Sequence, residues 1–386
     1  MSPKKHLLLA LALPLAAACG SNTSSTDQLQ ASVPDSTALT LEATGAASED
    51  ASLVSDGSAA AALRIGPASS ADTASGLEFL PAIRTAIQDL NQGVKQFFDP
   101  IGQIIATQGT QIAVGSAETF GPQDKDGVTY LLTVKRFAPN RYAWKLEGKT
   151  TGAAADVAYT LLAVGTVFHA DTDMAHRGRG QIGIDLDAFK VVKPGFMGQG
   201  KLYGAYSNYD STDPSGVAGD AKTLVYVLQN FSSDTTAHAP VSAAFAGFKS
   251  RAGVRSVRVL YYGDLPEFVG NPDHAELLLG RARFNPGVGG RADALVTGGD
   301  VPNGELIYGA ECWDANENLT WKKVWVCTAP NACTVSSETG SITACAVDLR
   351  DATAQAPASD QDLTPEAGAP DPSVTAATVM PSFDNP

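Results

Sequence analysis

Histidine is scarce in this chain, and two common hydrolase motifs are absent. There are five histidines among 386 residues. No Gly-x-Ser-x-Gly sequence occurs, which excludes the usual nucleophile elbow of an α/β-hydrolase, and no His-Glu-x-x-His occurs, which excludes the usual zinc protease helix. A serine triad would have to use His169, His176, His238 or His274 without a supporting local motif. The sequence therefore carries no hydrolase signature.

Large apolar residues are sparse in two long stretches. Residues 19–75 consist mainly of Ala, Ser, Thr, Asp and Gly, and residues 351–386 of Ala, Pro, Asp and Thr. Such compositions bury too little apolar surface to offset the entropy of folding, so the first stretch is predicted to be a disordered tether and the second a disordered acidic tail. One folded domain is expected between them, over residues 76–350.

Basic residues are outnumbered, with 27 Lys and Arg against 41 Asp and Glu and a net charge of −14. The tether and the tail each contribute −6 and the first 18 residues contribute +2, which leaves −4 for the domain. A nucleic-acid-binding protein needs a basic face, so no nucleic-acid partner is expected.

The apolar run at the N terminus is short. It extends over residues 7–18 after Lys4 and Lys5, and it ends in small residues directly before Cys19. A run of this length cannot cross a bilayer of about 30 Å as a helix, and its small-residue end suits a signal peptidase, so residues 1–18 are predicted to be a signal peptide. The sequence Leu15-Ala-Ala-Ala-Cys19 resembles the lipobox of bacterial lipoproteins.

The lipobox resemblance implies that Cys19 becomes the acylated first residue of the mature protein. It also implies an outer-membrane destination, because Gly20 stands where aspartate often signals retention in the inner membrane. Stable anchoring requires two or more acyl chains, which lipoproteins of this type carry. A plain secretory signal cut elsewhere, with Cys19 incidental, is the alternative. In both cases the chain leaves the cytoplasm.

Cysteine is absent between Cys19 and the end of the predicted domain, where four cysteines are clustered. Disulfides persist outside the cytoplasm, and four cysteines allow three pairings. We favour Cys327 with Cys333 across a turn, and Cys312 with Cys345 joining the last strands. A four-cysteine zinc site is the alternative, although it would lack a close Cys-x-x-Cys pair.

The domain begins with a helical pattern. Apolar residues recur at alternating steps of three and four from Leu80 to Ile104, which lines one face of a helix. Asp99-Pro100 indicates a break between two helices. Docking onto a sheet is the expected role of this apolar face, with a coiled coil as the alternative.

After Gly115 the apolar period changes to two, which is typical of strands with one buried face. Strands are predicted at residues 130–135, 142–147, 157–168, 182–187, 201–209, 222–231, 255–262, 276–284, 291–296, 305–313 and 319–326. No helix recurs between them, and a meander of about ten strands curls rather than staying flat. The predicted fold class is mainly β (α+β): a curved antiparallel sheet or incomplete β-barrel with N-terminal helices packed on it.

Four metal-ligating side chains lie in one predicted turn: His169, Asp171, Asp173 and His176. Imidazole and carboxylate together suit zinc or manganese, so this turn is a candidate metal site. A polar hairpin turn is the alternative, because Arg177 and Arg179 could neutralise the aspartates.

Two other motifs match known sites incompletely. Asp314-Ala-Asn-Glu-Asn318 resembles the opening of a calcium loop, but Leu319 replaces its glycine, so a hairpin turn is expected. Residues 287–292 spell a loose glycine fingerprint for nucleotides, but a strand is predicted after them, where a phosphate site needs a helix N-terminus. A bulge or tight bend is expected there.

Paired carboxylates and clustered tyrosines are further candidate sites. Asp185 and Asp187 could serve a glycosidase, although a solvated strand face is the simpler interpretation. Six tyrosines in the predicted strands could line an apolar or sugar pocket: Tyr203, Tyr206, Tyr209, Tyr226, Tyr261 and Tyr262. Packing in the core is the alternative.

Three functional hypotheses follow. The first is a non-enzymatic, outer-membrane-anchored lipoprotein whose sheet binds an apolar small molecule, a lipid or an envelope protein, in a plan similar to that of periplasmic lipoprotein carriers and receptors. The second is a metal-dependent envelope enzyme that uses the His169 turn. The third is a surface adhesion or structural module. No cofactor is expected apart from the covalent lipid at Cys19.

Overall fold

The computed structural model describes the strand-rich part of the chain and selected residues before and after it. The described residues are 33–34, 39–41, 87, 90–91, 94, 97–98, 101–105, 112–169, 178–210, 220–232, 241–250, 253–263, 275–302, 305–328, 332–347 and 383. Within them, no helix is both long enough and apolar enough to cross a membrane.

The domain is built on one antiparallel sheet of fourteen strands. The strands are β1 (Ala117–Lys125), β2 (Val128–Ala138), β3 (Arg141–Thr150), β4 (Thr160–Phe168), β5 (Gly178–Asp185), β6 (Gln199–Asp210), β7 (Asp220–Ser232), β8 (Val241–Lys249), β9 (Arg255–Gly263), β10 (Glu276–Asn285), β11 (Gly289–Gly298), β12 (Leu306–Asp314), β13 (Leu319–Cys327) and β14 (Cys333–Gly340). Each strand pairs with the next, and β1 and β14 are the two edges of an unclosed sheet. The predicted mainly β fold is confirmed.

The alternation of side chains gives the sheet an inner face that carries the main core. In β10 every second residue is buried, including Leu278 and Phe284, and the residues between them are half-buried. Tyr226 of β7 and Val259 of β9 belong to the same core. We call the opposite side of the sheet the outer face.

Short turns explain why the sheet is a meander. Asp126 and Gly127 join β1 to β2 with positive φ angles of 51° and 82°. This left-handed pair matches the twist of a two-residue hairpin and favours Asp-Gly.

The strand predicted at residues 182–187 ends earlier than expected. β5 stops at Asp185, whose carboxylate accepts a hydrogen bond from the backbone N of Ala188 at 3.0 Å and caps helix α1 (Leu186–Val192). Asp187 accepts from the backbone N of Gly200 at 3.0 Å, and Lys201 pairs with Asp185 at 3.1 Å. The two carboxylates therefore have structural roles at a strand-to-helix junction and do not share one strand face.

The N-terminal helices pack on the inner face, as predicted. Residues 87, 90–91, 94, 97–98 and 101–105 are helical, and their buried apolar side chains join the main core. Phe98 meets the edge of Trp144 of β3 with ring centroids 5.8 Å apart. Phe97 contacts Phe189 of α1 in the same manner at 5.5 Å.

Five residues of the predicted tether also lie in or beside this core. Val33, Leu39 and Leu41 are buried in the main cluster. Asn91 holds Leu41 by two hydrogen bonds of 2.7 Å, one to its backbone N and one to its carbonyl. At residues 33–34 and 39–41 the structure therefore differs from the predicted tether. The rest of residues 19–75 lies outside the described residues.

The predicted tail is described at one residue. The ring of Phe383 lies 5.6 Å from Nζ of Lys145 and 5.9 Å from Nζ of Lys135. The other residues of the tail, 351–382 and 384–386, lie outside the described residues.

Candidate functional site

The candidate metal turn connects β4 to β5. His169 follows β4, where its backbone N donates to the carbonyl of Asn140 at 2.9 Å, and its ring meets Tyr142 edge-on at 6.1 Å. Asp171, Asp173 and His176 lie outside the described residues. Among the described residues, no group of three His, Cys, Asp or Glu side chains is close enough to hold a metal ion. The metal site stays a prediction.

The calcium-like segment is a hairpin turn between β12 and β13. One carboxylate oxygen of Asp314 accepts hydrogen bonds from the backbone N of Asn316 at 2.8 Å and of Asn318 at 2.9 Å. The Asn318 side-chain amide, followed by the backbone donors, lowers the pKa of Asp314. The carboxylate therefore holds the turn closed, as the hairpin interpretation predicted.

The glycine fingerprint is the turn between β10 and β11, and a strand follows it. A Cβ atom built on Gly290 would lie 2.1 Å from the indole ring of Trp313. Glycine is needed there because the indole crosses directly over the backbone. The nucleotide interpretation has no helix to hold a phosphate, as expected.

Most of the candidate tyrosines pack inside the protein. Tyr206, Tyr226 and Tyr261 belong to the main core, and Tyr203 is buried as well. Tyr262 is exposed, and the side chain of Tyr209 lies outside the described residues. The core-packing interpretation is confirmed for the first three, so they do not line an open sugar pocket.

Two of these buried tyrosines differ in one contact. The hydroxyl of Tyr226 donates to the carbonyl of Leu39, whereas the hydroxyl of Tyr206 has no hydrogen-bond partner among the described residues. We expect Tyr226→Phe to lower the free energy of unfolding by about 1–3 kcal/mol, because it leaves a buried carbonyl unpaired. Tyr206→Phe should be neutral or stabilising, because it removes a buried hydroxyl without a partner. Urea unfolding of the two variants, which lose the same atom, measures the difference.

The same tyrosines give this prediction a pH dependence. Burial raises the pKa of both hydroxyls above their ordinary value of 10.0. The folded state keeps both protons above pH 10, while the unfolded state releases them, so stability is lost as pH rises beyond 10. Each Tyr→Phe variant should show a smaller loss. Equal costs for both variants at neutral pH would contradict the assigned contacts.

A second apolar cluster lies on the outer face of the last strands. Tyr308, Trp321 and Trp325 are buried in it, and disulfides join Cys312 to Cys345 and Cys327 to Cys333. These are the pairs that the sequence favoured. The first disulfide, together with Ile342, holds the segment after β14 against the outer face of β12 and β13.

A buried ion pair borders this cluster. Arg291 donates to both carboxylate oxygens of Asp293, at 2.6 and 2.8 Å, and both side chains have 0% exposure. Tyr308 donates to the same carboxylate at 2.5 Å, and the guanidinium lies 5.4 Å from the ring centre of Trp321. Because Arg291 and Asp293 are two residues apart in a strand, they lie on the same face. This spacing could have predicted the ion pair, although the pair was not anticipated from the sequence.

A small cleft lies at the end of the inner face where residues 40 and 41 cross the sheet. It is open to solvent and is lined by Thr40, Leu41, Lys222 and Leu224. Lys222 donates to the carbonyl of Thr40 at 2.5 Å across it. The cleft is far too small for a ligand pocket, which usually reaches about 300–1,000 Å³.

An apolar surface is exposed on the outer face of β7–β10. Strand register places Val225, Ala246, Arg258 and Arg281 side by side in one row, and Val227, Ala244, Leu260 and Leu279 in the next. Val225, Phe248 and Tyr262 are 38%, 45% and 44% exposed. We define the outer patch as Val225, Val227, Phe248, Leu260, Tyr262 and Leu279 with Arg258 and Arg281.

The outer patch was not anticipated from the sequence. Its residues alternate with the core residues of the same strands, so a two-residue period marks one buried face without showing that the other is apolar as well.

Comparison with protein-family models, with curated proteins and with solved structures finds no match to this chain.

Proposed function

We propose that this chain is a non-enzymatic lipoprotein of the outer membrane, anchored by acyl chains on Cys19, whose folded domain binds a lipid or another apolar partner. The lipobox-like sequence supports the anchor, and the outer patch supports the binding activity. This function is the first of the three functional hypotheses, with the binding surface on the outer face of the sheet.

The outer patch is the observation that carries the binding activity. The wetted face of an antiparallel sheet is normally polar, so apolar side chains are expected on one face only. In β7–β10 the outer face also carries a group of apolar side chains, and several of them are half-exposed. Contiguous apolar surface of this kind marks interaction sites.

The inner face is a weaker candidate for the ligand than the outer patch. Ile87, Ile101 and Ile104 of the helical residues are almost fully buried against it, together with Leu39. Their side chains occupy the place that a ligand would take in an open concave sheet. A ligand on that side would first have to displace part of the chain, at the cost of its buried apolar contacts.

Labelling with radioactive palmitate tests the anchor. The native chain should incorporate label and partition with membranes, and Cys19→Ala should do neither, because it removes the only proposed attachment point. The paired variant Cys327→Ala/Cys333→Ala is the matched control, since it loses cysteines but should keep the label. An unlabelled native chain, or a Cys19→Ala chain that stays equally labelled, would refute the anchor.

A further inference from the structure

We infer that the outer patch docks on an anionic lipid surface, with Arg258 and Arg281 at the phosphate headgroups and the neighbouring apolar side chains at the boundary of the acyl chains. This inference rests on the proposed function, because the anchor brings the domain to a membrane. It adds the class of lipid and the residues that recognise it.

The two arginines form an unusual pair. Arg258 and Arg281 stand directly opposite each other in β9 and β10, on the outer face. Like charges in this position repel, because their Cβ atoms are only about 4.5–5.5 Å apart. Neither guanidinium forms an ion pair or hydrogen bond within the described part of the chain. An anion between them would remove the repulsion.

The carboxylate that faces Arg281 across the sheet is already engaged by other donors. Asp293 stands opposite Arg281 on the other side, in β11. Both of its oxygens accept from Arg291, and one also accepts from Tyr308. The local field therefore favours an anion, although the predicted domain as a whole carries −4.

The apolar side chains decide which anion fits. A small free anion would need only the guanidinium groups, but Val225 lies in the row of the arginines, and Phe248 and Tyr262 are exposed on either side of it. Aromatic side chains and arginine stems are suited to a membrane interface, where one end of the side chain is apolar and the other is hydrated. An anionic lipid in a membrane surface fits the outer patch, because its phosphate can bind the two arginines and its acyl chains can contact the apolar side chains.

Vesicle flotation tests the inference with the mature chain from position 19 onward, carrying Cys19→Ala so that no acyl chain contributes. The chain should float with vesicles of phosphatidylcholine containing about one third phosphatidylglycerol, and much less with phosphatidylcholine alone. Arg258→Gln/Arg281→Gln should weaken binding by about tenfold or more, because each basic residue near an anionic surface contributes substantially. Phe248→Ser should also weaken it.

Matched controls separate the outer patch from general effects. Arg179→Gln/Lys190→Gln removes the same charge at exposed positions of β5 and α1, and Val191→Ser removes an exposed apolar side chain of α1. Both controls should bind like the parent, and circular dichroism should show that all variants fold. Failure of the parent to float, or equal binding by the arginine variant, would overturn the inference.

Other occupants of the outer patch give different results. If patch variants abolish a dimer seen by analytical ultracentrifugation and leave flotation unchanged, a second copy covers the surface and the lipid inference is wrong. Palmitate labelling is unaffected by either result, so failure of the inference and failure of the anchor can be told apart.

Discussion

Replacement of Asp293 with alanine is expected to lower the free energy of unfolding by about 3–5 kcal/mol. Arg291 and Asp293 are both fully buried, and the carboxylate takes two hydrogen bonds from the guanidinium. Removing the carboxylate leaves the positive charge of Arg291 in an environment of low polarity without this partner. The hydroxyl of Tyr308 loses its acceptor at the same time. Urea unfolding followed by tryptophan fluorescence measures the change.

Two further variants show whether the loss comes from the uncompensated charge. The triple variant Arg291→Met/Asp293→Leu/Tyr308→Phe removes the whole polar group, and apolar replacements of buried ion pairs are often close to neutral, so we expect it to be much more stable than Asp293→Ala. Arg281→Ala, a half-buried arginine on the neighbouring strand, should change stability by less than about 0.5 kcal/mol. Equal loss in the single and triple variants would show that packing, and not charge, explains the effect.

Leu39→Ala should also have a large effect, lowering the free energy of unfolding by about 2–5 kcal/mol. Leu39 has 0% exposure and belongs to the main core, although it lies in a stretch whose composition predicts a tether. The substitution leaves a cavity that the surrounding sheet and helical residues fill only in part. The same unfolding experiment measures it.

Val191→Ala is the matched control for Leu39→Ala. Val191 is 69% exposed on α1, so shortening it should change stability by less than about 0.5 kcal/mol. If Leu39→Ala were as mild as this control, residues 39–41 would act as part of the tether, and their packing against Tyr226 and Asn91 would contribute little to the fold.

Most strands could be predicted because large apolar residues occupy every second position in them. β10 is the clearest case, with Leu278 and Phe284 on the buried side. β8 was missed because its alternation is between alanine, glycine and single aromatics. β14 was missed because nearly all of its residues are exposed, so no apolar period exists. β1 was missed because Gly121-Pro122 interrupts it at a shift in register.

The short helix α1 was missed for a different reason. Ile182, Ile184 and Leu186 keep the two-residue period across the junction, so the pattern predicts a continuous strand. The side chain of Asp185 instead caps the first turn of a helix. Aspartate suits a helix cap as well as an exposed strand position, and only its hydrogen bond to Ala188 distinguishes the two.

The sequence by itself determined the strands with a clear apolar alternation, the hairpin turn at residues 314–318, the apolar face of the N-terminal helices and the favoured cysteine pairs, because each depends on residue types and their spacing along the chain. Only the tertiary structure decided that Leu39 enters the core and that Arg258 faces Arg281. Both facts depend on contacts between distant segments and on strand register, which a local period does not specify.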